Sequence, residues 1–486
     1  MLDMLICIMP KIHPDAPTVG PAVLKSHLMA NGFSCEVVDF NIMLFIELKK
    51  VGQERYYFEA DSVFHSELNG QPPDEFFEFV STYSHVFDQW IDFIKSRNPR
   101  YIGLSLLSNY SIPITIQLSS MIRLAAPNIK IIWGGSGLSD TDISTYNRLR
   151  DKGAFDHFIF GDGEMSLVEL MRGNIAHQGI DSTKPNQLKD MSQILLPNYD
   201  DIDWSQYQII DDQQNVAYIT GSRGCVKKCD FCNVYQIWPE YRFRPTENIL
   251  DEMKMLHEKY GRCSFKFTDS LVNGSMKHFR KFLNELIEYK QNHDPDDKIT
   301  WIGQWVIRSR SQSPEEDYRL MRDSGCVGVD IGIESFNQDI RFEMGKKFTD
   351  EDMWWCLDML HKYKIHATIL MITGYPTETD DHHLHTLSVI RELFDLGYAD
   401  KLLLFFSFGN TMMIGMDSIL YDKFKDDIKD YENSVDWRYK DNTLAVRNRR
   451  LTEITNLITH LSQEDHQTSW ITKKALIHHE KLLRDS

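Results

Sequence analysis

The chain has 486 residues, of which 42% are hydrophobic and 12% aromatic, a composition typical of a globular protein of two or three domains and not of a disordered chain. The formal net charge of -18 argues against a nucleic-acid-binding surface, because contacts to phosphates need clustered Lys and Arg. No run approaches the roughly 20 apolar residues of a membrane-spanning helix, and the first residues lack a secretory signal, so we expect a cytoplasmic protein without membrane contact.

The first predicted domain, residues 1–178, repeats a short apolar strand, a Gly or Ser turn and an amphipathic helix. This alternation predicts an α/β domain with a flavodoxin-like, doubly wound (Rossmann-like) parallel sheet, whose ligand crevice lies at the carboxyl ends of the strands. Residues 41–100 interrupt the repeat with an aromatic-rich helical insertion, predicted to cap the sheet or line a pocket. The predicted strands are 5–9, 35–40, 101–106, 130–135 and 157–163.

A polar, turn-rich stretch at residues 179–213 is predicted to be a linker. From 214 to 410 strand and helix alternate again, and six such units predict a partial TIM-type (β/α)6 barrel with its functional groups on the loops after the strands. Residues 411–486 are polar and are predicted to form a helical C-terminal cap. The predicted barrel strands are 216–221, 263–269, 299–306, 327–335, 366–376 and 401–408.

The segment "GSRGCVKKCDFCNVY" (221–235) places Cys225, Cys229 and Cys232 on the loop after the first barrel strand. In a reducing compartment, such a group of thiols favours a metal or catalytic site over a disulfide. Three thiolates can bind three irons of a 4Fe-4S cluster, which normally has four Cys ligands, so one iron would stay open. Lys227 and Lys228 add positive charge that stabilises thiolates.

Two alternatives for these cysteines stay open. A structural zinc site would need a fourth Cys or His nearby, and residues 233–256 contain neither. Three ordinary buried cysteines are the other alternative. The remaining five cysteines are scattered and fit small buried hydrophobic residues: Cys7, Cys35, Cys263, Cys326 and Cys356.

"CVKKCDFC" resembles the C-x3-C-x-aromatic-C loop of radical S-adenosylmethionine (SAM) enzymes. "GIESF" (332–336) is similar to the ribose-contacting segment of that family, and "ITGYPTET" (372–379) to its GxPxET signature. "FTDSLVNG" (267–274) lies where the family contacts the SAM amino group, although the usual Gly-Gly-Glu pattern is missing. The resemblance implies SAM contacts from Phe231, Asp269, Ser270, Glu334, Ser335 and Gly374.

The resemblance also implies a mechanism. The open iron of a 4Fe-4S cluster would chelate SAM, and one electron from the cluster would cleave the sulfonium bond to give a 5′-deoxyadenosyl radical. This radical abstracts a hydrogen atom from the substrate, which requires a dry, enclosed site. An electron donor such as flavodoxin or ferredoxin is the implied partner. The substrate, a small molecule or a peptide, is not defined by the sequence.

A flavodoxin-like domain directly before a radical SAM barrel resembles the cobalamin-binding subclass of the family. The resemblance implies that cobalamin is bound on loops of the first domain, where small residues let the backbone approach a large macrocycle. Ordinary tight turns of an α/β fold are the alternative. The Asp-x-His-x-x-Gly motif is absent and His13 has the wrong spacing, so we expect no protein histidine on cobalt. The implied contacts are Ser105, Leu106, Gly134, Gly135, Gly161 and Gly163.

A group of histidines in "TDDHHLHT" (379–386) could also suggest a metal. His382 and His385 lie three residues apart and could share one helix face, whereas His383 points elsewhere. A solvated first turn of a helix is the expected structure.

The leading hypothesis is a cobalamin-dependent radical SAM methyltransferase acting at an unactivated carbon. The second hypothesis keeps the radical but replaces methylation with cyclisation, rearrangement or oxidation. A third, a non-catalytic cobalamin or SAM sensor, would not need the three-cysteine loop. Methylthiolation is disfavoured because it needs three further cysteines in the first domain, where only Cys7 and Cys35 occur.

Overall fold

The computed structural model describes residues 2–58, 63, 73–138, 143–209, 215–398, 402–406, 411–415 and 418–464. These residues form two compact units, the first built from 1–223 and 236–265 and the second from 224–235 and 266–486. The predicted domain boundaries stay a prediction. None of the helices in the described ranges has the length and apolar character needed to cross a bilayer.

The first unit contains a five-stranded sheet in the order β2-β1-β3-β4-β5. All four pairings are parallel, and a typical register is Cys7 opposite Leu104 and Leu104 opposite Trp133. The strand order reverses between β1 and β3, which is where a doubly wound sheet leaves a crevice at the carboxyl ends of its strands. The strands are β1 (Leu2–Ile8), β2 (Cys35–Asp39), β3 (Pro99–Ser105), β4 (Lys130–Gly134) and β5 (His157–Ile159).

Helices cover both faces of this sheet, as continuous apolar strands require. On one face, the aromatic insertion supplies much of the core, and the Phe40 and Trp90 rings stack with centroids 4.6 Å apart. The part of the insertion within 59–72 lies, apart from Val63, outside the described residues. The helices are α1 (Val19–Ala30), α2 (Phe40–Lys50), α3 (Arg55–Phe58), α4 (Asp74–Thr82), α5 (Ser84–Arg97), α6 (Ile112–Ala125), α7 (Ile143–Asp151) and α8 (Gly163–Met171).

The described part of the 179–213 stretch belongs to the first unit and packs against its α1 and β2. The buried Lys25 of α1 pairs with Asp201 at 2.5 Å, and Asp201 also accepts the backbone N–H of Val37. The Asn198 N–H donates to the carbonyl oxygen of Ala22 over 3.0 Å. These contacts tie the stretch to the α1 side of the sheet.

The second sheet has six strands in the order β13-β12-β11-β10-β9-β6. The β10–β11, β11–β12 and β12–β13 pairings are parallel, and helices alternate with these strands along the chain. The strands are β6 (Val216–Ile219), β9 (Ser264–Phe267), β10 (Thr300–Trp305), β11 (Cys326–Glu334), β12 (His366–Met371) and β13 (Leu402–Phe406). A two-stranded ribbon is formed by β7 (Ser222–Arg223) and β8 (Arg242–Phe243).

The remaining helices complete an α/β fold that confirms the predicted class, a doubly wound domain, a partial barrel and a helical C-terminal region. Arg447 anchors the last helix, because its guanidinium lies 3.8 Å from the Trp437 ring and donates to the Trp437 carbonyl oxygen. These helices are α9 (Val234–Ile237), α10 (Thr246–Tyr260), α11 (Met276–His293), α12 (Glu315–Asp323), α13 (Gln338–Glu343), α14 (Asp350–Lys362), α15 (Asp380–Asp395), α16 (Ile419–Phe424) and α17 (Leu444–Glu464).

Candidate active site

The three-cysteine loop follows the first strand of the second sheet. Cys229 is buried, with 7% of its surface exposed, whereas Cys225 and Cys232 are half-buried. Within the loop, the Lys227 N–H donates to the Cys225 sulfur over 3.4 Å, and the Cys232 N–H donates to the Cys229 carbonyl oxygen. The loop is therefore folded on itself, and Cys229 is the most buried of its three cysteines.

Burial and the neighbouring charges change the pKa values of Cys229 and Cys225. Burial raises the pKa of Cys229 to about 11, while Lys346 opposes this change and the charges of Cys232 and Cys225 add to it. Burial also raises the pKa of Cys225, again with a contribution from Cys232. In the described part of the chain, no three His, Cys, Asp or Glu side chains are grouped as ligands of a single metal ion.

Lys346 is a cation beside this loop that sequence reasoning missed. Its Nζ lies 2.9 Å from Glu334 Oε1 and donates to the Gly332 carbonyl oxygen at 2.9 Å. It also lies 5.8 Å from the centroid of the Phe231 ring. Burial lowers the pKa of Lys346, but Glu334 and the Cys229 thiol outweigh burial, so the net change is upward. The structure thus brings Phe231 and Glu334 together around a buried ammonium group.

Glu334 adopts a backbone conformation that non-glycine residues avoid, with φ of 67°. The pairing register between β11 and β12 shifts at this point. The ion pair occupies the space that a side chain at position 332 would fill. A Cβ on Gly332 would lie 2.3 Å from Glu334 Oε1 and 2.6 Å from Lys346 Nζ. A strained residue at a strand end is typical of functional sites.

A second glycine lies against the backbone of the cysteine loop. Gly345 has φ of 89°, and a Cβ on it would approach the Lys228 carbonyl oxygen to 3.0 Å and the Cys229 Cα to 3.4 Å. The Asp230 N–H donates to the Met344 carbonyl oxygen. The segment after α13 therefore supports the cysteine loop.

Gly374, in the GYPTET segment, has φ of 90° and packs against Arg447, whose Cδ would lie 2.2 Å from a Cβ on that glycine. The Glu378 carboxylate accepts the Gly374 N–H, and Asn442 donates to the carbonyl oxygens of the turn. Burial raises the pKa of Glu378 to about 7, although Arg450 opposes this. Glu378, the glutamate of the GxPxET signature, therefore stabilises the turn that contains Gly374.

Asp230 lies between two of the cysteines and is held from outside the loop. Its carboxylate accepts the Tyr375 hydroxyl at 2.6 Å and lies 2.7 Å from the Lys423 ammonium. Lys423 belongs to α16, in a region where the sequence offered no catalytic signature. No local pattern could have revealed a contact between residues so far apart in the chain.

Asp269 and Ser270 lie on the loop after β9, and Asp269 is buried. This loop is fixed to the end of β10, because the Asn273 side chain bonds the backbone of Val306 in both directions. Arg308 donates to the Asn273 and Gly274 carbonyl oxygens. Ser335 is also buried and its carbonyl oxygen accepts from the buried Arg341.

In the first unit, the loops after β3 and β4 lie backbone against backbone. Ser105 ends β3, and the next residue, Leu106, donates its N–H to the Gly134 carbonyl oxygen. A Cβ on Gly135 would lie 2.1 Å from the Leu106 carbonyl oxygen. Glycine is therefore required at position 135 by the protein's own packing.

Gly161 and Gly163, after β5, also contact the protein itself. A Cβ on Gly161 would meet the Asn186 carbonyl oxygen at 2.3 Å, and one on Gly163 would meet the Leu24 side chain at 3.2 Å. Their role as cobalamin contacts stays a prediction.

The acidic residues beside these two glycines form a buried charge network that the sequence did not suggest. Asp162 pairs with Arg223 at 2.7 Å and with Arg242 at 2.6 Å, and Glu164 pairs with Arg223 at 2.5 Å. Burial raises the pKa of Asp162, but the two arginines outweigh it and the net change is downward. Arg223 lies two residues before Cys225 in the chain.

Three hydroxyl groups lie near the point where the strand order of the first sheet reverses. Within the described ranges, the side-chain oxygens of Thr18, Ser108 and Ser111 are buried and have no hydrogen-bond partner. Thr18 precedes α1, which follows β1, and the two serines follow β3. His13, on the loop after β1, lies 3.5 Å from Asp15 and is 55% exposed.

Two histidines of the group at 379–386 make hydrogen bonds within the protein. The His382 ring accepts the Thr379 N–H at the start of α15. The buried member is His383, which contacts Glu453 of α17 at 2.7 Å and whose pKa burial lowers. The sequence pattern alone did not single out His383, since its partner is 70 residues away.

Comparison with known proteins gives a family match for part of the chain. Residues 219–390 match the model of the radical SAM superfamily. An uncharacterised methyltransferase of Pyrococcus horikoshii is 23% identical over 332 residues, covering 65% of this chain and 68% of that protein.

An anaerobic magnesium-protoporphyrin IX monomethyl ester cyclase of Rubrivivax gelatinosus is 23% identical over 331 residues, covering 63% of this chain and 56% of the cyclase. Thus the aligned region spans just over half the length of that relative.

Two solved structures share the fold. The radical SAM methyltransferase TsrM of Kitasatospora setae, solved with tryptophan and a SAM analogue, has a TM-score of 0.60 at 17% identity, over 83% of this chain and 72% of TsrM. The cobalamin-dependent SAM radical enzyme OxsB, solved with aqua-cobalamin and SAM, has a TM-score of 0.65 at 13% identity, over 100% of this chain and 71% of OxsB.

Proposed function

We propose that this chain, an enzyme of the radical SAM superfamily by its domain at residues 219–390, binds cobalamin and transfers a methyl group to an unactivated carbon of its substrate. The observation that carries the proposal is the cysteine loop beside the Glu334–Lys346 ion pair. The cysteine loop supplies three soft sulfur ligands, and the ion pair supplies polar groups at the carboxyl end of a barrel strand. Barrel enzymes have their active sites at that end of the strands.

The residues of the loop fit an iron–sulfur cluster by their chemistry. The Cys232 thiol lies close enough to contribute to the raised pKa values of Cys225 and Cys229, and sulfur is the ligand type that such clusters take. A 4Fe-4S cluster held there would supply the electron that cleaves SAM. The chain holds the loop through the close packing of Gly345 and the bonds to Asp230, and the buried Lys346 offsets the negative charge of thiolates.

The groups around Lys346 support a SAM site. The Glu334 carboxylate lies at a strained strand end and, beside its ion pair with Lys346, can accept hydroxyl donors such as those of a ribose. Phe231 presents a ring for stacking, and the turn at Gly374 is held rigid by Glu378 and Asn442. In this proposal Asp269, Ser270 and Ser335 bind the remaining polar groups.

The carboxyl edge of the first sheet supports a cobalamin site. The hydroxyls of Thr18, Ser108 and Ser111 have no hydrogen-bond partner among the described residues, so a polar ligand tail can satisfy them. Ser105, Leu106 and Gly134 lie at the same edge. His13 is mostly exposed beside Asp15, in keeping with a cobalt without a histidine ligand from the chain.

Methyl transfer is favoured by the methyltransferase names of two of the similar proteins, one by sequence and one by fold. The similarity to the cyclase supports the alternative, radical chemistry without methyl transfer. Flavodoxin or ferredoxin is the proposed electron donor.

The test is anaerobic reconstitution of the full chain with iron, sulfide and cobalamin, followed by mass spectrometry of the SAM products in the presence of a reductant. Formation of 5′-deoxyadenosine with S-adenosylhomocysteine is expected. Formation of 5′-deoxyadenosine alone would favour the alternative reaction. The absence of both SAM cleavage and cobalamin binding would refute the proposal.

Matched cysteine variants sharpen this test. Cys229→Ala should abolish the cluster absorbance and SAM cleavage but leave cobalamin binding intact. Cys356→Ala is the control, because Cys356 is fully buried away from the loop and its loss should affect packing only. SAM cleavage retained by Cys229→Ala would defeat the assignment of the ligands.

A further inference from the structure

Two lysine side chains meet at the carboxyl end of α13, next to the cysteine loop. The Lys347 ammonium donates to the Phe342 carbonyl oxygen at 3.0 Å, and the Lys423 ammonium donates to the Glu343 carbonyl oxygen at 2.9 Å. Phe342 and Glu343 are the last two residues of the helix, where cations are favoured. The two ammonium groups therefore lie at the same helix end.

The cysteine loop brings a third lysine to this place. A Cβ on Gly345 would approach the Lys228 carbonyl oxygen to 3.0 Å, so the backbone of Lys228 lies against the segment that follows α13. Lys228 directly precedes Cys229 in the chain. We name Lys228, Lys347 and Lys423 the lysine patch.

The lysine patch is accessible to solvent. Lys228 and Lys347 are exposed, and the Lys423 side chain is 32% exposed. Lys423 pairs with the carboxylates of Asp230 and Glu343, whereas neither Lys228 nor Lys347 forms an ion pair with any described residue. Two exposed positive charges beside the cysteines thus have no ion-pair partner in the described part of the chain.

Exposed charges suit the association of a charged partner better than the stabilisation of thiolates. Water and salt screen them, with a Debye length of about 10 Å at 0.1 M ionic strength. Lys346, whose side chain is only 12% exposed, already places a less screened cation beside the Phe231 ring of the loop. Exposed charges of one sign instead raise the rate at which a partner of the opposite sign associates.

The charge of the whole chain indicates what kind of partner needs this patch. At a formal net charge of -18, the chain repels an acidic protein over much of its surface, so such a protein needs a local positive area to dock. The cysteine loop adds an apolar group, Val226, which is 42% exposed. Apolar contacts surrounded by charges are typical of protein–protein interfaces.

We propose that the lysine patch and Val226 form the docking surface for the electron donor, an acidic flavodoxin that places carboxylates against the three lysines. Docking there brings the flavin close to the cysteine loop. One electron passes from the reduced flavin to the cluster, so the flavin is oxidised by one electron and the cluster is reduced by one. The inference rests on the proposed function for the cluster and for its need of a donor.

Stopped-flow reduction of the reconstituted full chain by reduced flavodoxin tests the inference, with photoreduced 5-deazariboflavin as a small uncharged donor. In the Lys228→Glu/Lys347→Glu variant, the flavodoxin rate divided by the deazaflavin rate should fall at least about 10-fold at low salt. This ratio corrects for any change in the reduction potential of the cluster. At about 0.5 M salt the variant and the wild type should differ much less.

Binding of oxidised flavodoxin, measured by isothermal titration calorimetry, is a second readout that does not need a cluster. The affinity should fall about 10-fold in the same variant. Lys228→Arg/Lys347→Arg should keep both the rate and the affinity, because the charges remain. Lys152→Glu/Lys184→Glu changes the net charge equally at two other exposed lysines and should behave as wild type.

Three results would overturn the inference. They are equal flavodoxin rates in the wild type and the Lys228→Glu/Lys347→Glu variant, an equal loss in the Lys152→Glu/Lys184→Glu variant, and no reduction of the wild type by flavodoxin. The SAM products separate the two proposals. Cluster reduction by both donors without SAM cleavage would refute the proposed function alone, and SAM cleavage with deazaflavin but not with flavodoxin would refute this inference alone.

Discussion

The Lys423 ammonium lies 2.7 Å from the Asp230 carboxylate, so a residue of the C-terminal region holds the middle of the cysteine loop. The same ammonium donates to the Tyr375 hydroxyl at 2.7 Å and to the Glu343 carbonyl oxygen at 2.9 Å. Three segments of the second unit therefore meet at one cation. This relationship assigns the C-terminal region a role at the proposed cluster site.

Replacing Lys423 by Met should loosen the cysteine loop. The change leaves the Asp230 carboxylate, whose side chain is 11% exposed, without its charge partner, and we expect a loss of about 1–3 kcal/mol in the free energy of unfolding. The reconstituted variant should release iron faster and show a lower reduction potential, because a nearby positive charge is gone. The rate of iron release is followed over time, and a redox titration monitored by electron paramagnetic resonance measures the reduction potential.

Two further variants test whether the reduction potential depends on a positive charge at position 423 and not merely on a positive charge in this helix. Lys423→Arg should restore the potential, since the charge returns. Lys425→Met removes an exposed lysine that pairs with Asp422 of the same turn, and it should behave as wild type. A Lys423→Met protein with wild-type potential and iron retention would show that the contact has no part in holding the loop.

Gly345→Ala should disturb the cysteine loop through one added methyl group. With φ of 89°, alanine is strained there by about 1 kcal/mol, and its Cβ lies 3.0 Å from the Lys228 carbonyl oxygen. Gly397→Ala carries the same backbone strain, with φ of 69°, but meets no atom within 4 Å. We expect similar thermal stability in the two variants and impaired iron incorporation only in Gly345→Ala.

Much of the fold and the centre of the site could be predicted from sequence, because they depend on local patterns. Short segments of the sequence are enough to identify the apolar strands of both sheets. The same is true of the spacing of Cys225, Cys229 and Cys232. The glycine of the GYPTET turn is similarly local, since a left-handed backbone favours glycine.

The supporting charges could not be predicted. Lys346 and Lys423 meet the cysteine loop only after the barrel strands and the C-terminal helices have packed, and nothing in their local sequence distinguishes them from other lysines. The alignment of Gln304, Asp330 and Thr368 across three strands depends on their pairing register, and the hydrophobic pattern alone leaves that register open to a shift.

Glu334→Gly and Glu334→Ala should differ in stability although both remove the same carboxylate. The native φ of 67° is strained for alanine and free for glycine, so the glycine variant should be more stable by about 1 kcal/mol. Urea unfolding midpoints of the apoprotein measure this difference. Both variants should lose affinity for SAM, and an alanine variant as stable as the glycine variant would contradict the strained conformation.

Asp39 should make the first unit less stable as the pH rises. Burial raises its pKa to about 6 from the usual 3.8, although Tyr207 and backbone N–H groups oppose this. Between these values the folded protein holds a proton that the unfolded chain has released, so the free energy of unfolding falls as pH increases from about 4 through 6. The difference of about 2 in pKa corresponds to roughly 3 kcal/mol.

Asp39→Asn removes this titration while an amide oxygen can still accept the Ile42 N–H at the start of α2. Hydrogen exchange of the β1 and β2 amides between pH 4.5 and 7.5, corrected for intrinsic exchange rates, should show a falling opening free energy in the wild type and a flatter profile in the variant. The exposed Asp88→Asn should keep the wild-type profile. Equal pH dependence in wild type and Asp39→Asn would exclude Asp39 as its source, because the variant has no ionisable group at this position.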